Sequence, residues 1–421
     1  MVKRGQHLLL LFSFILIWSC TEPYALQTED FEDVIVIEAT LTDEYKYQEV
    51  RITRSLKLAD NEPETVSQAT VFITDSNGNH FAFSESNGKY VSQEEFSAIP
   101  NVTYQLHVTT ADGKTYTSTQ ESIASLSSID DLVVEVENSN EEGKGVQIVA
   151  KSTKTTSDNE YYRYTYEETN KIIAPRWIPY RGVAVYYNPP PTTSPDLGYI
   201  YMEPWPYEAK VCYTTENSKD ILIGNTSLNN TATSSNLVRF LKVSDYKIAH
   251  RYSIEVTMYT QSQAANNYYD ALRRASTNGS LLSQTQNGFY NGNIRNISNP
   301  TEKVVGFFDV CHMSKKRIFF NFDSLFPGHK KPEYPFYCPD SEDPNAGNFS
   351  HPVEFCSPQN PRQGCDGEYV LATVYHRVKS VYSFRPNYQI GLHLTSVALR
   401  NIQCGDCTSF SSNIKPPFWI D

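Results

Sequence analysis

The sequence predicts a mainly β protein divided into two domains. Tyr and Phe, which favour strands, are abundant at 29 and 21 residues. Short runs of alternating apolar and polar residues recur along the chain, and turn residues such as Asn-Gly and Asp-Gly separate them. Long helical patterns are nearly absent. Because 421 residues exceed what one hydrophobic core usually organises, two domains are expected.

Residues 34–121 show the alternating pattern clearly. Over residues 104–108 every second residue is apolar, which is the period of a half-buried strand. The turn signals include Asn87-Gly88 and Asp112-Gly113, and such pairs supply the positive φ angles that two-residue hairpin turns need. This spacing predicts an Ig-like or carboxypeptidase-regulatory-like β-sandwich. Residues 122–131 are interpreted as the linker that follows it.

The second domain, residues 132–421, is predicted to be larger and β-rich, with one or a few short helices. One helix is expected over Gln263–Asn278, where Ser262 serves as the N-cap and apolar residues recur at helical spacing. Residues 369–379 and 388–394 are expected to form closing strands or a short element near them.

The first twenty residues have the pattern of a lipoprotein export signal. A positively charged start precedes an apolar run that is too short to cross a bilayer comfortably, so residues 1–19 are interpreted as a signal peptide. The run ends in Ser19-Cys20 and resembles a bacterial lipobox, in which the cysteine is lipidated. Residues 20–33 would then be a lipidated tether. The alternative is an ordinary signal peptide that happens to contain a cysteine.

The charge of the chain restricts its partners. The formal net charge is -12, and such a surface repels phosphate backbones, so nucleic acid is not expected as a partner. No apolar run after Cys20 approaches the length of a membrane helix. Contact with the membrane is therefore expected through the lipid anchor only.

Residues 174–207 combine many prolines with many aromatic side chains. Proline argues against central-strand pairing there. One interpretation is a long insertion folded back on the domain with its rings buried. The other is a surface for a ligand or partner protein, because Trp and Tyr give a large contact area at low entropic cost. The aromatic residues of this candidate surface are Trp177, Tyr180, Tyr186, Tyr187, Tyr199, Tyr201, Trp205 and Tyr207.

Cysteines cluster in a loop-rich region between residues 338 and 407. Exported chains form disulfides, and such a region gains stability from cross-links. The spacing of Cys404 and Cys407 would also suit a zinc site or a redox pair, but the oxidising compartment favours disulfides. Cys404 and Cys407 are expected to bond to each other or to the other cysteines of this group. The candidate disulfide cysteines are Cys338, Cys356, Cys365, Cys404 and Cys407.

The sequence contains no zinc-protease helix motif, no nucleophile elbow and no phosphate-binding loop. Its histidines are scattered, and they are interpreted as surface or hydrogen-bonded residues rather than ligands; they include His312, His329, His351, His376 and His393. The protein is therefore expected not to be an enzyme, and to bind no cofactor and no metal.

Several short motifs occur in an order that resembles a known family. They include Gln-Ala-Thr-Val-Phe-Ile-Thr-Asp (68–75), Tyr-Asn-Gly-Asn-Ile (290–294), Lys-Val-Val-Gly-Phe-Phe (303–308) and Cys-Gly-Asp-Cys-Thr (404–408). Together with the lipobox they resemble the Bacteroidetes-type outer-membrane lipoproteins classified only as a domain of unknown function. Such proteins are commonly encoded beside SusC-like TonB-dependent receptors. The family has no established catalytic residues, so the resemblance implies none here.

The resemblance implies an outer-membrane lipoprotein that acts as an accessory or ligand-capture partner of a TonB-dependent receptor in nutrient uptake. Trp177 and Trp205 are the expected anchors of that contact. The ligand is unknown, and the leaflet, cell surface or periplasmic, is left open. Two alternatives remain: an extracytoplasmic hydrolase on a β-sandwich scaffold, and a purely structural envelope component.

Overall fold

The computed structural model is mainly β, as the sequence predicts. Cys20, Cys356, Cys365 and several prolines of the aromatic segment lie outside the described residues. No helix among those described has the length and apolar character needed to cross a membrane. The structure describes residues 33–55, 63–139, 143–188, 197–226, 233–277, 292–338, 350–352, 367–386 and 394–421.

The described elements are mostly short strands. In chain order the strands are β1 Ile35–Thr42, β2 Glu49–Arg54, β3 Thr70–Asp75, β4 His80–Ser86, β5 Lys89–Ser92, β6 Tyr104–Thr109, β7 Thr115–Ser118, β8 Ile129–Ser139, β9 Gly143–Thr153, β10 Tyr161–Ile173, β11 Tyr180–Tyr186, β12 Gly198–Pro204, β13 Val211–Asn217, β14 Leu222–Asn225, β15 Thr233–Lys242, β16 Arg251–Gln261, β17 Ile294–Asn296, β18 Val304–Cys311, β19 Met313–Asn321, β20 Ser350–Pro352, β21 Lys379–Pro386 and β22 Leu394–Asn401. The helices are α1 Gln263–Thr277, α2 Phe322–Leu325, α3 Gly367–Tyr375 and α4 Ile402–Gly405.

Nine strands form one sheet in the order β17-β7-β6-β3-β4-β5-β2-β1-β18. Its strands alternate as predicted, and in β6 every second residue is buried. The turn between β4 and β5 is Asn87-Gly88, whose φ angles are 49° and 74°. Two consecutive positive φ angles belong to a two-residue hairpin turn, so this predicted turn is confirmed.

The two edge strands of this sheet come from far along the chain. β18 pairs in parallel with β1, and β17 pairs with β7 at the opposite edge. The edges approach each other, since the side chain of Asn293 hydrogen-bonds the backbone of Phe308. The predicted sandwich is therefore built as one curled, nearly closed sheet, which leaves little unpaired strand edge. Strands from both sides of the predicted linker, residues 122–131, share this sheet.

A second body consists of two smaller sheets packed face to face. One has the order β15-β9-β8, and the other has the order β13-β10-β16-β19 with β14 also pairing with β10. Their common core joins aliphatic residues such as Ile148 and Ile254 to buried tyrosines such as Tyr162 and Tyr164. The chain passes directly from the first sheet to this body, because a single residue separates β18 of the first sheet from β19 of the second body.

The predicted helix is confirmed as α1. Ser262 Oγ accepts a hydrogen bond from the backbone N–H of Ala265 at 3.1 Å, which is the expected N-cap contact. Ala265 and Tyr268 are buried, and the ring of Tyr268 lies 5.5 Å from that of Phe307 on β18. The apolar stripe of α1 therefore packs on the first sheet.

A small third group contains β11 and β12, the sheet β20-β22-β21 and α3. Of the two predicted alternatives for residues 369–379, a closing strand or a short element near one, the structure has the second, because α3 ends at Tyr375 and β21 begins only at Lys379. Residues 388–393 lie outside the described residues. Val370, Leu371 and Val374 lie on one side of that helix and are buried against Ile200 of β12. Apolar residues that include two β-branched valines can thus form a helix when their spacing places them on one packed face.

Candidate functional site

The aromatic segment forms a two-stranded hairpin, β11 paired with β12. Cross-strand partners share a face, so Val185 stands beside Tyr199 and Val183 beside Tyr201. The opposite face, which includes Ala184, packs on the small core under α3. The hairpin is therefore attached on one face and presents the other face outward.

Three tyrosines form a continuous row on the outward face. The ring centroids of Tyr187 and Tyr199 are 5.7 Å apart, and those of Tyr199 and Tyr201 are 6.2 Å apart. We call Tyr187, Tyr199 and Tyr201 the tyrosine face. Tyr187 is exposed and the other two are half-buried. The ion pair of Arg181 with Glu203 borders this row, so an apolar strip is flanked by charge.

The other exposed tyrosines lie at the two ends of the hairpin. Tyr186 packs edge-on against Tyr375 of α3, with 5.0 Å between the ring centroids. Tyr180, at the first position of β11, is 46% exposed. Tyr180 and Tyr186 have the same alternation along β11 as Ala184, so they lie on the face of the hairpin that packs under α3 and are not part of the outward row.

The two tryptophans and Tyr207 make contacts within the fold. The indole N–H of Trp205 donates to the carbonyl of Ile178 at 2.8 Å. Trp177 packs on the cluster around the Cys212–Cys407 disulfide. Both tryptophans are half-buried, as Tyr199 and Tyr201 are, but their contacts are with residues at the base of the segment, whereas the tyrosines of the row lie on the outward face of the hairpin. The sequence could not separate these roles, because both residue types are typical of interfaces.

Two disulfides fix the base of the hairpin. Cys338 bonds Cys404 and Cys212 bonds Cys407, with Cα–Cα distances of 5.7 and 5.9 Å. Cys404 and Cys407 are not bonded to each other. Cys212 was missing from the predicted candidates, because it lies on β13, far from the cysteine cluster in sequence.

Asp406 lies between Cys404 and Cys407 in sequence and joins the segment that contains them to the aromatic segment and to the end of α3. It is fully buried, and its carboxylate accepts hydrogen bonds from Arg377 Nη2 at 2.5 Å and from Tyr207 OH at 3.1 Å. The carbonyl of Cys404 accepts from the N–H of Arg176, at the start of the aromatic segment. The hairpin is thus tied to a cross-linked and hydrogen-bonded base.

An enclosed ionic cluster lies in the second body around Glu168. Arg239 donates to both carboxylate oxygens, at 2.9 and 3.1 Å, and Lys247 and Tyr252 each donate at 2.5 Å. Burial alone would raise the pKa of Glu168, but these donors outweigh it and hold the pKa below its usual range. Because the carboxylate is fully engaged, the cluster serves the fold.

An open polar cleft of about 390 Å³ lies where β10 and β14 meet α1. Amide, phenol and guanidinium groups line it, together with the carboxylate of Asp270, which is paired with Arg273 and Arg274. Such a lining can hydrogen-bond a polar ligand. Within the part of the chain that the structure describes, no cluster of His, Cys, Asp and Glu is able to hold a metal ion. The cleft is lined in part by Tyr161, Asn225, Gln263, Asn266, Asn267 and Arg273.

Comparison with known families gives one match. A family model described as a domain of unknown function, DUF4249, matches residues 21–317. The chain belongs to this family. No curated protein matches the chain.

The DUF4249 match covers the first sheet, most of the second body and the hairpin, and it ends within β19. α3, Cys338 and the two bonded cysteines at 404 and 407 follow the matched region. The hairpin that carries the tyrosine face therefore lies within the match, whereas much of its cross-linked base lies beyond it.

Proposed function

We propose that this protein is an outer-membrane lipoprotein, anchored through Cys20, that acts as the accessory or ligand-capture partner of a TonB-dependent receptor. The motif order in the sequence supports the partner class, and the lipobox-like end of the signal supports the anchor. Two disulfides are consistent with a compartment that oxidises thiols.

The tyrosine face is the observation that carries this proposal. Tyr187, Tyr199 and Tyr201 form an outward row on a hairpin whose other face is packed. Because the hairpin is cross-linked and hydrogen-bonded at its base, little conformational entropy remains to be lost when a partner binds. Aromatic side chains in such a setting are the usual centres of protein interfaces.

The chemistry of the surface favours a protein partner. The strip is apolar along the tyrosines and is bordered by the Arg181–Glu203 pair, which resembles the apolar centre and polar rim of an interface. The polar cleft beside α1 would be the place where a captured polar ligand binds, and it lies on a different part of the chain from the hairpin.

Co-purification from native membranes tests the proposal. The variant Tyr199→Ala/Tyr201→Ala should reduce recovery of the TonB-dependent receptor about tenfold or more, because loss of interface aromatics costs about 2 kcal/mol or more. The matched control is Tyr45→Ala/Tyr47→Ala, which removes two exposed tyrosines from the connection between β1 and β2.

Thermal melting separates a binding effect from a folding effect. The tyrosine-face variant should melt within about 4 °C of wild type, because its rings are only half-buried and lie on the outward face. Equal receptor recovery by wild type and variant would contradict the proposed surface. Wild-type protein that recovers no receptor would instead favour the purely structural role.

The anchor has a separate test. Cys20→Ala should move the protein from the membrane pellet to the soluble fraction, because the acyl chains supply the membrane affinity. If the variant pellets with the membranes as wild type does, Cys20 is not the anchor.

A further inference from the structure

Three residues from distant parts of the chain form one hydrogen-bonded series. Asp43 Oδ2 lies 2.5 Å from His312 Nδ1, and His312 Nε2 lies 3.1 Å from Ser128 Oγ. Each ring nitrogen therefore has one partner. The carboxylate is on Nδ1 and the hydroxyl is on Nε2, which is the arrangement in which a histidine can activate a serine.

The chemistry of the three groups decides which of them donates each hydrogen bond. A carboxylate only accepts hydrogen bonds, so Nδ1 carries the hydrogen and Nε2 is left to accept from the Ser128 hydroxyl. Burial would raise the pKa of Asp43, but hydrogen bonds from His312 and from the N–H of Met313 outweigh it, so the pKa lies below its usual range. Asp43 is therefore ionised and can stabilise a protonated imidazole.

Backbone contacts hold the aspartate and the histidine in place. Asp43 directly follows β1, and its second oxygen accepts from the N–H of Met313 at 2.9 Å. His312 is the single residue between β18 and β19, and its N–H and C=O both contact Thr260 on β16. These two groups are thus placed by strands rather than by free loops.

The serine is fixed by its two neighbours. Ser127 donates its hydroxyl to the buried carboxylate of Glu160, and the N–H of Ile129 donates to Ser314 Oγ at 3.1 Å. Burial alternates along residues 124–130, so Ser128 and Leu126 point outward while Ser127 and Ile129 point inward. Ser128 is exposed, and the side chains of Asp43 and His312 are 23% and 18% exposed.

We propose that Ser128, His312 and Asp43 form a hydrolytic site that cleaves carboxylic esters. Ser128 Oγ attacks the ester carbonyl carbon, and its proton passes to His312 Nε2. The tetrahedral intermediate expels the alcohol, which takes that proton, and the acyl group remains on Ser128. Water then attacks the acyl-serine by the same route and releases the carboxylic acid and the free serine.

The surroundings favour a neutral acyl group on an accessible substrate. Lys46 and Lys315 both pair with Glu44, beside Asp43. Lys316 pairs with Asp131, three residues after Ser128. Because these lysines are paired, they are not free to bind a charged acyl group. Leu126, which is 48% exposed on the same face as Ser128, can instead make an apolar contact with the substrate. The open position of Ser128 suits an ester displayed on a larger molecule.

The proposal is independent of receptor binding and has its own test. The full chain, with its disulfides formed, is treated with a fluorophosphonate probe and, separately, with 4-nitrophenyl acetate. Peptide mapping should find the phosphonate on Ser128. Ser128→Ala should abolish both labelling and ester cleavage, and His312→Gln and Asp43→Asn should each slow cleavage about 100-fold.

A matched control is Ser157→Ala, which removes another exposed serine and should leave both readouts unchanged. Melting temperatures of all variants identify any that fail to fold. An adduct on a different serine, or wild-type cleavage by Ser128→Ala, overturns the proposal. Absence of any adduct on the folded wild-type protein also overturns it, and the three residues would then be a hydrogen-bonded latch between strands.

Discussion

The side-chain amide of Asn293 pairs with both backbone polar groups of Phe308. Asn293 Oδ1 accepts from the N–H at 2.8 Å, and its Nδ2 donates to the C=O at 2.9 Å. This reproduces the two hydrogen bonds of a strand partner at the point where β17 and β18, the two edges of the first sheet, approach each other. Phe308 is fully buried, so its backbone groups depend on partners within the protein.

The neighbouring glycines permit this close approach. A Cβ atom on Gly292 would lie 1.4 Å from the carbonyl oxygen of Gly306, and one on Gly306 would lie 1.9 Å from the carbonyl oxygen of Ile37. Gly306 also has a φ of 142°, which other residues rarely adopt. Residues 292–294 of the first motif and residues 303–308 of the second therefore meet at the closure of the sheet.

Asn293→Ala should destabilise the protein by about 2–4 kcal/mol. The change leaves two buried backbone groups without these partners, and each such group costs about 1–3 kcal/mol. Denaturant unfolding measures the loss. Asn299→Ala, at an exposed position, is the control and should cost less than about 1 kcal/mol. Equal losses for the two variants would show that the pairing with Phe308 is unimportant.

Local patterns in the sequence were sufficient for the local parts of this fold. The alternation in β6, the turn at Asn87-Gly88 and the capped helix α1 each depend on residues close in sequence. The pairing of β18 with β1 could not be predicted in this way, because it joins segments more than 250 residues apart and no local pattern encodes a parallel register.

In the candidate sites, too, the features set by neighbouring residues were predictable and those that join distant residues were not. The aromatic segment was recognisable from composition, but the outward position of the tyrosines depends on which face of the hairpin packs under α3. The Asp43–His312–Ser128 series joins residues 269 and 184 positions apart, so no sequence motif contains it. Cys212 was missed as the partner of Cys407 for the same reason, with 195 residues between them.

Peptide mapping under non-reducing conditions should recover Cys338 joined to Cys404 and Cys212 joined to Cys407. Cys311 is a buried free thiol and should react with an alkylating agent only after unfolding. Replacing either disulfide by two serines should cost about 2–5 kcal/mol, since both close long loops. A Cys404–Cys407 bond in the folded protein would contradict the structure.

Glu168→Gln should destabilise the protein by about 3–5 kcal/mol. The substitution removes the charge that Arg239 and Lys247 share in an enclosed setting, and breaking such a cluster leaves uncompensated charge. Glu216→Gln is the matched control: it removes the other partner of Lys247, but Glu216 is largely exposed, so the loss should stay below about 1 kcal/mol. Similar losses for both variants would mean that the enclosed ion pairs of Glu168 contribute no more to stability than the exposed pair of Glu216 with Lys247.

His250 should make folding stability depend on pH between about 6.5 and 4. Burial, together with the positive charges of Lys331 and Lys171, lowers the pKa of His250 to about 4 from its usual 6.5. Between these values the unfolded chain binds a proton that the folded protein excludes. The stability contributed by neutral His250 is therefore complete above pH 6.5 and is lost as the pH falls toward 4.

Titration of His250 alone changes the free energy of unfolding by at most about 1.4 kcal/mol per pH unit. The partial exposure of His250 reduces this change. Denaturant unfolding at pH 7.5, 5.5 and 4.5 should show wild type losing about 1–2 kcal/mol more than His250→Gln, because both proteins share every other titrating group. His329→Gln, which retains His250, should follow wild type. Parallel pH curves for wild type and His250→Gln would show that His250 takes up its proton equally in the folded and unfolded chains.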